Sequence, residues 1–192
     1  MKFFAVLFFS LSFFPAFCQD MASIEYSPDI DFDWHLFKGK VNPQHTASMG
    51  KNTAAVTVSS LNYNTTVKGK TAVVKVSALF LPSESWTLYP KLDHPDDALN
   101  HEKRHFDICE IYARKIRQAI LQNHFSQSRF GPSLESLFNK IVSEYRNEQQ
   151  RYDRETRHCL DVAQQLKWNK IIDAQLASLA AYSNPTVRIG LY

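Results

Sequence analysis

Asp93-His94-Pro95-Asp96-Asp97-Ala98-Leu99-Asn100-His101-Glu102-Lys103-Arg104-His105-Phe106-Asp107-Ile108-Cys109 reads as the opening of a long helix. Asp93 and His94 offer a cap, and Pro95 suits a first turn, where its missing N–H would be unpaired anyway. Asp96 and Asp97 lie near the positive end of the helix dipole. Downstream, Ile108, Cys109, Tyr112, Ile116, Ala119 and Ile120 recur at helical spacing, which predicts a helix to about Asn123. Traced backwards, that apolar stripe lands on His105, His101 and Glu102, while Lys103 and Arg104 fall outside it. A face that should be buried therefore carries two imidazoles and a carboxylate, which is costly unless something binds them.

Around this helix the chain has two textures. Residues 20–92 are rich in Val, Thr, Ser and aromatics. Thr71 to Leu81 is the clearest strand, with Val74, Val76, Ala78 and Phe80 on one face and Val73, Lys75, Ser77, Leu79 and Leu81 on the other. Thr53 to Asn62 alternates around Val56, Val58 and Ser60, Asp33 to Phe37 is a short strand candidate, and Asn62 to Lys70 is a hairpin-sized connection. Pro82 and Pro90 bracket a segment that cannot sit deep in a sheet. Beyond Arg129-Phe130-Gly131-Pro132, Ser133 caps a second helical stretch. Leu134, Leu137, Phe138, Ile141, Tyr145, Tyr152, Cys159, Val162 and Leu166 keep its register, and Trp168, Ile171, Ile172 and Leu176 extend it after a bend. From Ser183 the tail is expected to be non-helical. No linker separates the halves, so the fold class is one α+β domain, with a small, mostly antiparallel sheet followed by two long packed helices.

At the N-terminus, Lys2 precedes Phe3 to Phe9 and Leu11 to Phe17, an apolar stretch of signal-peptide length. Ala16-Phe17-Cys18 predicts cleavage before Gln19. This divides the chain into a leader at 1–18, a domain at 19–182 and a tail at 183–192, placed in the periplasm or outside the cell. No other window is apolar enough to span a membrane. The formal charge of +3 over 192 residues implies neither nucleic acid nor an acidic partner, and a monomer is expected. Cleavage would leave Cys109 and Cys159, an even pair that invites a disulfide in an oxidising compartment.

Side chains four apart on a helix share a face, so His101 and His105 can address one zinc ion. Glu102 beside them is placed to act as general base and then acid on a metal-activated water. A third ligand must come from elsewhere: His158, Glu155, Glu148 or Glu144, with His94, His124, His35 and His45 further candidates. If Cys109 and Cys159 were bridged, His158 would be brought near the His101/His105 face. On an ideal helix His158 lies about 100° from Cys159, so it flanks the core stripe, and Glu155 shares that flank one turn earlier.

Leu99 to Ile108 resembles the core motif of a bacterial family predicted to be secreted zinc-dependent proteases, whose domain is catalogued as domain of unknown function 922. A second mark of that family, Tyr-Asp-x-x-Thr-x-His, stands at Tyr152 to His158. Leu81-Pro82-Ser83-Glu84-Ser85-Trp86 is similar to its proline–tryptophan stretch. The likeness covers roughly residues 50–175. It implies a zincin-like arrangement with His158 as third ligand and Tyr152 or Asp153 supporting the site. This chain departs from the pattern at Cys159, where the family usually has glycine. Tyr152 is also a candidate oxyanion donor, and Asp153 and Asp107 are candidates to orient a ligand imidazole. The expected activity is hydrolysis of a peptide or protein substrate. The rival reading is a non-catalytic zinc-binding envelope protein, a pseudo-protease or adaptor.

Overall fold

The computed structural model describes residues 23–41 and 54–192. The leader predicted at 1–18 and the candidate ligand His45 lie outside those residues. The described chain is α+β, as its two textures predicted.

Its strands are β1 (Ile24–Glu25), β2 (Ala55–Val56), β3 (Ser59–Lys68), β4 (Thr71–Phe80), β5 (Trp86–Thr87) and β6 (Thr186–Gly190). β4 is central. It pairs antiparallel with β3 along its whole length, while β1 and β6 pair antiparallel with its opposite ends. β2 and β5 form a separate antiparallel pair. The alternation read in β4 holds: Ala72, Val74, Val76, Ala78 and Phe80 are all buried on one face. The β3–β4 connection is shorter than the nine residues expected, because Gly69 at φ +58 starts a two-residue turn. Asp33 to Phe37 is not a strand. The Asp33 carboxylate accepts from the Trp34 N–H at 2.6 Å and caps a single 3₁₀ turn.

α1 (Pro95–Gln122) starts where the sequence predicts and lies between the sheet and two further helices, α2 (Phe130–Thr156) and α3 (Val162–Ser178). That position buries Phe106, Ile108, Cys109, Ile111, Ala113, Ile116 and Ile120 around most of its circumference. The single second helix expected from 133 to beyond 166 is two helices. α2 ends at Arg157, whose left-handed φ of +51 turns the backbone back, and the His158 N–H closes onto the Asp153 carbonyl at 3.0 Å. α3 restarts where the Asp161 carboxylate accepts from the Gln164 N–H at 3.0 Å. The segment from Ser183 is non-helical, as expected, and its β6 lies against Thr71 to Lys75 of the central strand. Among the described residues no helix is long and apolar enough to cross a membrane.

Arg117 ties these layers together. Only 2% exposed, it donates to the Val76 carbonyl of β4 at 2.8 and 3.1 Å, to the carbonyls of Tyr182 and Ser183, and to Glu110 two turns back on the same face of α1.

Candidate metal centre

His101 and Glu102 are buried on α1, as the stripe implied, and the His105 side chain is 12% exposed. The two imidazoles meet edge to face with their Nε2 atoms 3.2 Å apart. From α2, Asp153 brings its Oδ1 to 3.2 Å from His101 Nε2 and 3.0 Å from His105 Nε2. From the turn beyond α2, His158 brings its Nδ1 to 3.5 Å from the same oxygen, with its side chain 62% exposed. Donor atoms of His101, Asp153 and His158 all lie within 4.8 Å of one another.

Each of the first two rings is held from behind by a glutamine. Gln165 Oε1 stands 3.0 Å from His101 Nδ1, and Gln149 Oε1 stands 2.5 Å from His105 Nδ1. The amide orientations follow from their other bonds: Gln165 Nε2 donates to Tyr152 Oη and Asn169, and Gln149 Nε2 donates to the His105 carbonyl. Both Nδ1 atoms therefore carry the proton, and both Nε2 atoms face the cluster, the arrangement that readies imidazole for a metal. Neither glutamine was singled out from sequence.

Electrostatics tie the carboxylate to the imidazoles. Burial opposes the charge of Asp153, but His105 and His101 outweigh it and hold the carboxyl well below its usual range. Burial likewise opposes the His105 imidazolium, yet the Asp153 carboxylate pushes its pKa up to about 9. Glu102 is 6% exposed, its charge acts on His105, Tyr152 and Cys159, and its Oε2 has no hydrogen-bond partner among the described residues. An unpaired buried carboxylate oxygen is costly, and functional sites are where such costs persist.

The other expected residues fall into place or out of it. Tyr152 is fully buried, stacks on the His101 ring at 4.6 Å, donates to the His101 carbonyl and accepts from Gln165. With its hydroxyl so engaged, it positions His101 and does not reach out as an oxyanion donor. Asp107 does not orient a ligand ring; it accepts from Tyr26 and Arg104 on another face of α1. Glu155 accepts from Trp168 Nε1 at 2.9 Å, Glu148 pairs with Arg151, and His35 sits 3.6 Å from Asp33. His124 borders a cavity of about 480 Å³ near the far end of α1. A smaller cavity of about 220 Å³ adjoins the cluster, lined by Asp97, Asn100, Cys159 and Gln165 among others.

The Cys109–Cys159 bridge is absent, and both thiols are free. Cys109 faces the Ser60 carbonyl of β3, whereas Cys159 borders Asp97 and Asn100 at the start of α1. Residues 97 and 109 are about 18 Å apart along a helix, beyond any disulfide's reach. Burial pushes the Cys109 thiol pKa up to about 12, while Cys159 is only half-buried. A thiol reagent is therefore expected to label Cys159 in the native protein and Cys109 only after unfolding. A 109–159 linked peptide in a non-reducing digest would contradict this.

Cys159 also holds the third of three consecutive left-handed conformations: Arg157 at φ +51, His158 at +53 and Cys159 at +64. Non-glycine residues there cost roughly 1–3 kcal/mol each. Replacing Cys159 with glycine is expected to raise the melting temperature of metal-free protein, by about 1 kcal/mol of stability or less. A fall in melting temperature would show that Cys159 packing outweighs the backbone strain.

The fold and this cluster define an α+β protein whose central helix offers two imidazoles to a carboxylate and a third imidazole at the end of the next helix. Residues 85–159 match the model of a family described as "Bacterial protein of unknown function (DUF922)", a span that includes all four members of the cluster and Glu102. No curated protein and no solved structure matches the chain.

Proposed function

We propose that the protein is an exported zinc-dependent peptidase, in which His101, His105 and His158 hold the ion and Glu102 moves the proton. One observation carries this reading: ring nitrogens from separate parts of the chain converge beside a buried carboxylate whose Oε2 lacks a partner among the described residues. The donors suit zinc, since ligand atoms bound at 2.0–2.1 Å in a tetrahedron stand about 3.3 Å apart. The His101–His105 Nε2 spacing of 3.2 Å lies close to that edge, and the His158 donor atom lies within 4.8 Å of that of His101.

Zinc, when bound, supplies a Lewis acid that brings the pKa of water towards neutrality and polarises a carbonyl. The chain's own residues do the rest. Glu102 takes a proton from water and returns it to the leaving amine. Gln149 and Gln165 hold the Nδ1 protons of His105 and His101, and Tyr152 fixes the plane of the His101 ring by stacking. The apolar N-terminal stretch supports export.

A second reading, a zinc-binding envelope protein without turnover, has one observation in its favour: Asp153 Oδ1 approaches the Nε2 atoms of both His101 and His105, a further donor beside the three imidazoles, and sites with four protein donors are usually structural.

Elemental analysis of purified full-length protein tests the proposal. One zinc per chain is expected, with a chelator-induced fall in melting temperature and loss of peptide cleavage. Protein that contains no zinc and melts unchanged with chelator would refute it.

A further inference from the structure

We infer that Asp153 is a direct metal ligand alongside His101 and His105, and that His158 is the detachable fourth donor. The inference rests on the zinc reading above and says which protein groups stay and which one leaves.

The three permanent donors are the tight ones. His101 Nε2, His105 Nε2 and Asp153 Oδ1 form a triangle with sides of 3.2, 3.2 and 3.0 Å. All three stand on helix bodies, two on α1 and one in the last turn of α2. The imidazoles are braced by Gln165 and Gln149, and their side chains are only 4% and 12% exposed. A residue that merely oriented a ligand from outside would meet the Nδ1 side of a ring. Asp153 meets the Nε2 side of both, and the glutamines already occupy the Nδ1 positions.

His158 differs in each respect. It lies past the end of α2, its ring is mostly exposed, its Nδ1 stands furthest from Asp153 Oδ1 at 3.5 Å, and its backbone is left-handed between two other left-handed residues. Its N–H bonds the Asp153 carbonyl, but its ring lies outside the helix body and swings on its own side-chain torsions. With His158 bound, four protein donors close the site. With it withdrawn, His101, His105 and Asp153 would remain to hold the ion, and three protein ligands are the number catalytic zinc sites use. A protein donor that gives way would reconcile the four-donor cluster with hydrolysis.

The test uses full-length protein stripped of metal and titrated with zinc against a chromophoric chelator. Wild type is expected to bind one zinc. Asp153→Asn is expected to lose more than about 100-fold in affinity, beyond the roughly 10–100-fold typical of outer-sphere changes. His158→Ala is expected to keep one zinc per chain with a loss of about 10-fold or less. X-ray absorption of the zinc-loaded proteins gives a readout that does not depend on Asp153→Asn folding. Wild type should show three imidazoles on zinc, and His158→Ala two, with the metal retained. An empty His158→Ala site, or Asp153→Asn binding within about 10-fold of wild type, would overturn the inference and leave the zinc reading standing. Wild type without zinc would end both.

Discussion

Glu102→Gln is expected to lower peptide cleavage by about 10²–10⁴-fold while zinc stays at one per chain. The size follows from removing the group that takes the proton from water and returns it to the amine. Zinc content should hold because the expected donors are His101, His105, His158 and Asp153, and Glu102 is not one of them. Stability should also hold, within about 1 kcal/mol, since Oε2 has no hydrogen bond among the described residues to lose. Parallel measurement of zinc content, melting temperature and turnover checks all three. Turnover within a few-fold of wild type would remove Glu102 from the chemistry. Zinc bound equally by both proteins, with cleavage by neither, would favour the envelope-protein reading.

Arg117→Met is expected to cost about 3–5 kcal/mol, a large share of the roughly 5–15 kcal/mol that holds a domain together. Methionine approximates the length of the stem but makes none of its bonds. The Val76 carbonyl loses two donors, Tyr182 and Ser183 lose the contact that anchors the approach to β6, and Glu110 is left buried beside Arg114 alone. Arg117→Lys should recover only part of the loss, because one ammonium cannot serve carbonyls and a carboxylate lying in several directions. Urea denaturation of metal-free protein measures both. A methionine variant within about 1 kcal/mol of wild type would show that the network's attraction only balances its desolvation.

The break after α2 shows how much local signal the sequence held. Asp161 followed by Gln164 three residues later is a helix-start signature, and it would have divided the second helix correctly. The apolar register of Val162, Leu166 and Ile172 runs across the gap and masks that signature. In the folded chain Val162 and Leu166 are exposed, so that register carried no burial information there. The supposed disulfide failed for a related reason. A bridge would need Cys109 and Cys159 to face each other across packed helices, whereas one faces the sheet and the other lies near the start of α1.

Sequence alone determined the α+β class, the central strand with its buried face, the extent of α1, and the burial of His101 and Glu102 there. Each of these depends on residues within one or two turns or one strand, where periodicity maps directly onto a face. Tertiary structure decided the rest: that Asp153 meets the Nε2 atoms, that Gln149 and Gln165 hold the Nδ1 atoms, that Tyr152 stacks on His101, and that β6 joins the sheet. These are contacts between residues 44 to 119 positions apart, set by how three helices and a sheet pack, and no local pattern encodes that distance.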